Sequence, residues 1–451
     1  MNNIMFLARL LVLFSLVCIS CAHSSFEQKQ LKHALDFATS NRLELEILLQ
    51  HYTYDSLKLE AAKFLIRNMP HCYSYQQGGE MDSVKRVRTY YSPFGQIDQT
   101  YARRWGHYTY RNLLKIYDAH IITAEYLIDN IDRAFDNWQK RPWNRSLSFE
   151  DFCEYLLPYR IGDEPLEEWR ELYEKKYGYL LDSIYKGSDV VEAANLVSRH
   201  LQEPVFIYCE DFELPHIGPR YLFSHRYGSC VDAADIVTYA FRAVGIPCME
   251  DTDARGGHVW NVVRDTTGRD VPIWYIASEA VRGSRDTGGY KRGKVYRPMY
   301  GFQEEKAAHL GDDWKSMPLL FYHPYMKDVS YAYYPDTLRI LTGIPDDEVC
   351  YLAHFHEAHW WSCACARSAS GKMEIPNLES ELVYLPMKYT KGNYYPSGFP
   401  FWFAGGEINT FLPDWEKTVK VRLYRKYPVY GWLRSFMSHV VGGTFEGSMT
   451  K

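Results

Sequence analysis

Apolar residues recur at helical spacing along the first part of the chain. Hydrophobic side chains stand three and four residues apart over long stretches, and this period predicts amphipathic helices. Pro70 closes one of these stretches, as proline does at helix ends. We therefore predict a helical N-terminal region over residues 27–187, which we interpret as packed scaffold. The helical pattern covers residues 31–50, 55–69, 113–138, 149–157 and 164–184.

A second pattern begins near residue 188. Helical spacing runs from Cys230 to Ala243 and ends at Gly245-Ile246-Pro247, because glycine and proline stop a helix. Two short strand-like segments then flank the turn Thr266-Thr267-Gly268, which predicts a β-hairpin. This order of helix and hairpin predicts a separate core domain over residues 188–300.

Beyond residue 300 the pattern is that of strands. Segments rich in β-branched and aromatic residues alternate with Gly, Pro and Asn. Repeated short strands of this kind are typical of one β-sandwich, or of two small ones, and we predict a β-rich C-terminal region over residues 301–451. The whole chain is therefore predicted to be an α+β protein of several domains.

The N-terminal segment has the pattern of an export signal. Arg9 precedes an apolar run from Leu10 to Ile19, which is too short to span a bilayer because a spanning helix needs about 20 residues. Cys21 follows Ile19-Ser20 and resembles a bacterial lipobox, so residues 1–21 are predicted to leave a lipid-anchored protein at the cell envelope. Cleavage after Ala22 would instead release a secreted protein. The anchor is the only predicted membrane contact.

Composition narrows the functional classes. Hydrophobic residues make up 46% of the chain and charged residues 24%, which fits a folded protein. With a formal net charge of −5, the chain lacks the excess of basic residues that is typical of nucleic-acid-binding proteins, so we expect no nucleic-acid partner. The aromatic content of 16% suits β-rich cores and also sugar- or peptide-binding surfaces. Ten cysteines are too few for a disulfide scaffold, and their spacing specifies no pairing.

The sequence around Cys230 places a thiol at the first turn of a helix. Unpaired backbone N–H groups and the positive end of the helix dipole both favour the thiolate there, and the thiolate is the nucleophile. His258 opens a strand shortly after this helix. If the strand packs beside the helix start, the two side chains form a nucleophile and its acid/base partner.

Three motifs in this segment resemble the core of the transglutaminase-like superfamily, a group of papain-like cysteine enzymes. They are Gly-Ser-Cys230-Val-Asp232, Ala-Phe-Arg-Ala-Val-Gly-Ile-Pro247 and Gly-Gly-His258-Val-Trp260-Asn261, and the resemblance covers about residues 190–280. The flanks at 56–75, 421–429 and 442–448 look like exported transglutaminase-domain lipoproteins of gut bacteria. The resemblance implies a papain-like fold for the core, with Cys230 as nucleophile and His258 as general base. It implies no metal and no organic cofactor.

The third residue of the family's triad is missing from its expected place. The family carries an Asp on the next strand, where it orients the histidine. A turn over Asp265 to Gly268 would put Trp274 or Tyr275 opposite His258, and neither is acidic. We choose Glu279 as the substitute orienter. Asp251 and Asp253 on the preceding strand are the alternatives.

These residues predict an exported cysteine enzyme that acts on amide bonds through an acyl-enzyme. Hydrolysis, as in a protease or amidase, is preferred to crosslinking because water is abundant and no acyl-acceptor site is recognisable. The predicted substrate is a peptide, a protein or a peptidoglycan-like amide. The alternative is a non-catalytic cell-surface protein that binds peptides or glycans on a degenerate scaffold of the same kind.

Two further motifs give weaker evidence of a binding function. The histidines of His354-Phe-His356-Glu-Ala-His359 lack the HExxH spacing that puts two imidazoles on one helical face, so we predict an exposed turn and no metal site. Trp360-Trp361 suggests a sugar-stacking platform, but strand alternation favours packing for at least one of the two rings.

Overall fold

The computed structural model describes residues 25–451 except for twelve stretches. The predicted export signal, lipobox and cleavage site lie outside the described residues. None of the helices in the described part of the chain is long and apolar enough to cross a membrane. The stretches left out are residues 89–109, 204, 209–213, 255–256, 276–278, 286–290, 305–316, 342–343, 357–358, 413–418, 422–444 and 448–451.

The N-terminal region is helical, as predicted. Its elements are α1 (25–37), α2 (Arg42–His51), α3 (Ser56–Asn68), α4 (Glu80–Arg88), α5 (Ala124–Lys140), α6 (Phe149–Tyr155) and α7 (Arg170–Tyr179), with the two-stranded ribbon β1 (Tyr73–Tyr75) and β2 (Lys115–Tyr117). The helix predicted from residue 113 is wrong at its start. Residues 115–117 pair as a strand, and the Thr123 side chain caps α5 by accepting the Tyr126 N–H.

The central part contains helices packed on an antiparallel sheet. The helices are α8 (Val190–Leu201), α9 (Pro219–Ser224) and α10 (Cys230–Ala243), and a short parallel pair is formed by β3 (Ile207–Tyr208) and β4 (Tyr227–Gly228). The five-stranded sheet has the order β7-β6-β5-β8-β9, with β5 (Cys248–Asp253), β6 (Val259–Arg264), β7 (Asp270–Ile273), β8 (Val295–Pro298) and β9 (Met326–Asp328). The sheet therefore continues past the boundary at residue 300.

Helix α10 lies at the centre of this region. Every one of its residues except Val231 is buried. On its sheet side, Asn261 of β6 donates to the Ala234 carbonyl at 3.0 Å and to the Thr238 hydroxyl at 2.9 Å. At its far end the Trp143 indole N–H donates to the Gly245 carbonyl at 2.9 Å, so the N-terminal region packs directly on the end of α10.

A buried ionic network fixes β5 to β8. Both carboxyl oxygens of Asp251 accept from the Arg297 guanidinium, at 2.6 and 3.0 Å, and the Tyr333 hydroxyl donates to the same carboxylate at 2.6 Å. Arg297 also reaches Asp270 of β7 at 2.7 Å. Paired charges of this kind are tolerated in a core because each is compensated.

The C-terminal part is β-rich, as predicted. A six-stranded sheet and the β10–β13 ribbon share one hydrophobic core, which contains Leu338, Cys350, Ile375 and Phe403. After the short helix α11 (Leu319–Tyr322) come β10 (Asp336–Leu341), β11 (Val349–His356), β12 (His359–Arg367), β13 (Lys372–Leu378), β14 (Leu382–Thr390), β15 (Asn393–Pro396), β16 (Phe401–Ala404), β17 (Glu407–Thr410), β18 (Val419–Val421) and β19 (Phe445–Gly447). Mixed helix and antiparallel sheet confirm the α+β class.

The histidine motif lies at the tip of the β11–β12 hairpin, where His356 pairs with His359. Within the described residues there is no group of three His, Cys, Asp or Glu side chains arranged to hold a metal ion. None of the cysteines that the structure describes, Cys363 and Cys365 included, forms a disulfide bond.

Candidate active site

The site lies at the start of helix α10, and the neighbouring residues determine where this helix begins. The Ser229 side chain caps α10, and the Asp232 carboxylate accepts the Ser229 N–H at 2.8 Å, which completes a capping box. Gly228 is required beside it, because a Cβ there would lie 2.3 Å from Asp232 Oδ2. These contacts make Cys230 the first residue of the helix.

The thiol of Cys230 reaches the segment that carries His258. Its Sγ lies 3.9 Å from the carbonyl oxygen of Gly257, the residue directly before His258. The Cys230 side chain is largely buried, with 5% exposed. The structure thus brings the start of α10 and the start of β6 together, as the sequence predicts.

The backbone of His258 is held by β5. Its carbonyl accepts from the Thr252 hydroxyl at 3.1 Å and from the Asp253 N–H at 3.3 Å. The pairing of Thr252 with Val259 therefore continues to Asp253 and His258, which places these two side chains on the same face of the sheet. The Asp253 carboxylate also accepts the Gly257 N–H at 2.9 Å, so it closes the loop that leads into His258.

Two tryptophans pack on the imidazole of His258. The ring centroid of Trp260 lies 5.6 Å away, and that of Trp274 lies 4.5 Å away with a 76° angle between the rings. An edge-to-face contact of this kind is favourable between aromatic groups. Trp274 therefore contacts His258 through its ring.

The hairpin register differs by one residue from the prediction. Asn261 pairs with Ile273, which places Trp274 across from Trp260 and not directly opposite His258. The reason is the turn: Asp265 pairs with Arg269 rather than Gly268, because its carboxylate accepts the backbone N–H groups of Thr267 and Arg269. The aspartate side chain therefore enlarges the turn.

The predicted orienter Glu279 lies elsewhere. Its carboxylate accepts from the Arg199 guanidinium at 2.6 Å, and both side chains are about half exposed. Asp251, the first alternative, is committed to Arg297 and Tyr333. The choice of Glu279 is not supported by these contacts, because a surface ion pair with α8 occupies it. Of the three acidic residues considered, Asp253 is the one that the backbone pairing brings to His258.

The chain matches no family model, no curated protein and no solved structure. The resemblance to the transglutaminase-like superfamily therefore stays a prediction from sequence motifs.

A second cluster of ionisable side chains, which the sequence analysis did not identify, lies further along α10. The His216 imidazole Nδ1 is 2.9 Å from both carboxyl oxygens of Asp235, and Asp235 is fully buried. Burial has the largest effect on the pKa of His216 and lowers it. The charges of Asp235, Asp163 and Glu164 outweigh burial together, so the pKa of His216 is raised well above its ordinary value. Asp235 lies on α10 and His216 on the segment before α9, and no spacing in the sequence indicates that the two side chains meet.

Proposed function

We propose that this chain is an exported cysteine enzyme that acts on amide bonds, built on a papain-like, transglutaminase-type core. The observation that carries the proposal is the position of Cys230: it is the first residue of a capped, buried helix, and its sulfur contacts the residue before His258. A thiol at such a helix start is favoured as thiolate, which is the reactive form.

The proposed reaction has two steps. His258 takes the thiol proton, the Cys230 sulfur attacks the amide carbonyl, and the imidazolium gives that proton to the leaving amine. Water then attacks the thioester, its proton passes through His258, and the carboxylic acid leaves as the Cys230 thiol is restored. We propose the backbone N–H of Cys230 as a donor to the developing oxyanion, because it lies at the start of α10.

We propose Asp253 as the residue that orients His258, in place of Glu279. It is 1% exposed, it lies across from His258 in the β5–β6 pairing, and it holds the preceding Gly257. The family places its carboxylate on the strand at the other side of the histidine. Here Trp274 packs on that side instead, so the imidazole is held between an aromatic ring and the β5 strand.

The substrate class is a peptide, a protein or a peptidoglycan-like amide, and hydrolysis is preferred to transfer. The N-terminal pattern supports export with a lipid anchor at Cys21, or secretion after Ala22. We propose no metal and no organic cofactor for the reaction.

A second candidate is a non-catalytic protein that binds peptides or glycans at the cell surface. It is favoured by Trp274, because a ring packed at 4.5 Å on the imidazole stands on the side where the family has its carboxylate. In that case Cys230 and His258 would be remnants of an enzyme scaffold.

An assay with unfolded casein separates these functions. We expect new casein N-termini, detected by mass spectrometry, with the wild-type chain and not with the matched Cys230→Ala variant. Dansylcadaverine in parallel reports transfer to an amine. Equal products from both proteins in both assays would support the binding function instead.

A further inference from the structure

Trp260 is the buried neighbour of His258 on the same face of the sheet. The two residues are two positions apart at the start of β6, and side chains at this spacing along a strand point to one face. Their ring centroids lie 5.6 Å apart, with 31° between the ring planes. Trp260 is 0% exposed, so the indole and the imidazole share a closely packed space. A rotation of the indole would therefore displace the imidazole.

A residue from a distant part of the chain holds this indole. The Trp260 N–H donates to the Tyr333 hydroxyl at 2.9 Å, and the two rings meet edge to face at a centroid distance of 5.9 Å. Tyr333 lies between β9 and β10, beyond the predicted end of the core domain at residue 300. An indole has a single polar atom, so this bond determines which edge of the Trp260 ring faces Tyr333.

The Tyr333 hydroxyl is itself fixed in direction. An indole N–H can only donate, so the hydroxyl accepts from Trp260 and gives its own proton to Asp251, at 2.6 Å. Burial raises the pKa of Tyr333 well above its ordinary value, so the hydroxyl keeps that proton. Asp251 is anchored in turn by the Arg297 guanidinium. The chain of hydrogen bonds from Arg297 to Trp260 is therefore continuous and buried.

The backbone around Tyr333 is attached to the central sheet. The Val295 N–H of β8 donates to the Ser330 hydroxyl oxygen at 2.9 Å, and the Val329 N–H donates to the Val295 carbonyl at 3.0 Å. The Tyr333 N–H donates to the Ser330 carbonyl at 2.9 Å. The position of the Tyr333 ring is thus determined by β8, the strand that pairs with β5.

We propose that Tyr333 is a positioning residue for the proposed reaction: it fixes the Trp260 indole, and the indole fixes the imidazole of His258. The inference rests on the proposed function, in which His258 moves the proton of Cys230. Trp274 supports the same imidazole from a second direction, at 4.5 Å and 76°. Tyr333 touches neither sulfur nor imidazole in this scheme, and acts only through Trp260.

The variant Tyr333→Phe keeps the ring and removes both hydrogen bonds of the hydroxyl. Its matched control is Tyr300→Phe, which removes one hydrogen bond to the Leu65 carbonyl from a buried tyrosine in the core of the N-terminal region. We expect Tyr333→Phe to lower kcat for casein cleavage about tenfold or more with KM within about twofold, because a small misplacement of the general base slows the chemical step. The control should leave both constants within about twofold of the wild type.

Nuclear magnetic resonance reports the imidazole position without any need for activity. Histidines labelled with ¹³C at Cε1 give one signal each, and the signal of His258 is the one that His258→Ala removes. Ring currents of Trp260 and Trp274 act on this signal, because both rings pack on the imidazole. We expect the His258 signal to move in Tyr333→Phe and to stay in place in Tyr300→Phe.

A double-mutant cycle tests the route of the effect. Trp260→Phe keeps an aromatic ring beside the imidazole but has no N–H for Tyr333, so Tyr333→Phe should have no further effect on the His258 signal in that background. A His258 signal that is identical in the wild type and Tyr333→Phe would overturn the proposal, and so would a full effect of Tyr333→Phe in the Trp260→Phe background. Equal casein products from the wild type and Cys230→Ala would instead contradict the proposed function, while the His258 signal would still decide whether Tyr333 holds the imidazole.

Discussion

The two ends of α10 carry polar groups in different electrostatic settings. At Cys230 the contacts include the Ser229 cap and the Gly257 carbonyl. Beside the second half of the helix, a cavity is lined by charged side chains of both signs, among them Glu250 and Arg242. The comparison teaches that one helix presents mainly backbone groups at its start and ionisable side chains further along.

The largest expected effect comes from the buried ionic network of the central sheet. Arg297→Met leaves Asp251 without its guanidinium partner and Asp270 with Arg264 as an ion-pair partner, and we expect a loss of about 3–5 kcal/mol in the free energy of unfolding. Denaturant unfolding measures it. The matched control is Arg339→Met, which breaks an exposed ion pair with Glu374 and should cost less than about 1 kcal/mol. Equal losses would mean that the buried network does not support the sheet.

Substitution of Asp253, the proposed orienter of His258, should have the next largest effect. Asp253→Asn keeps an oxygen for the Gly257 N–H but removes the charge, and we expect casein cleavage to slow about 10²-fold or more. The folding transition should change little, because the loop hydrogen bond is retained. If cleavage is unchanged, then Trp260 and Trp274 alone position His258.

The buried carboxyl of Glu250 predicts a pH dependence of stability. A group with a raised pKa in the folded state contributes stability that is complete below its unfolded pKa and is lost as pH rises through the folded value. Because burial raises the pKa of Glu250, we expect the free energy of unfolding to fall on going from about pH 5 to about pH 9.

Glu250→Gln should remove roughly 1–3 kcal/mol of that fall. The matched comparison is Glu154→Gln, because burial raises the pKa of Glu154 to about 7 and its carboxylate accepts the Tyr300 and Gly301 N–H groups. A pH profile unchanged in Glu250→Gln would show that its charge is already compensated.

The smallest expected effect is that of Glu279. Its partner is Arg199 at the surface, so Glu279→Gln should leave casein cleavage within about twofold of the wild type and stability within about 0.5 kcal/mol. A loss comparable to that of Asp253→Asn would restore Glu279 as the orienter.

Sequence reasoning succeeded where the determinants are local. The start of α10 at Cys230, its stop at Gly245 and the hairpin after His258 depend on neighbouring residues, and all three are present. The predicted register of the hairpin was wrong by one residue, because the Asp265 side chain enlarges the turn. The helix predicted from residue 113 was also wrong at its start. Residues 115–117 form a strand there, because their pairing with Tyr73–Tyr75 overrides the helical periodicity.

Long-range features could not be predicted in the same way. The cavity joins His71, His216, Glu250 and Tyr325, which are far apart in sequence and meet only after the helices pack on the sheet. The orienter stays a prediction: Glu279 was chosen by its place along the chain, whereas the backbone contact between Asp253 and His258 depends on cross-strand pairing. Contacts between strands are harder to predict from spacing along the chain than the start of a helix is.

The central claim is that His258 keeps the thiol of Cys230 activated, and alkylation by iodoacetamide against pH tests it most directly. The thiols of Cys248, Cys350 and Cys363 stay unreactive below about pH 9, because burial raises their pKa values to about 12, 11 and 12. Subtraction of the Cys230→Ala rate then isolates the one thiol of interest.

We predict that Cys230 reacts with a midpoint well below the ordinary thiol pKa of about 8.5, and that His258→Ala moves the midpoint up toward that value. A midpoint at or above about 8.5 that does not move in His258→Ala would contradict the account.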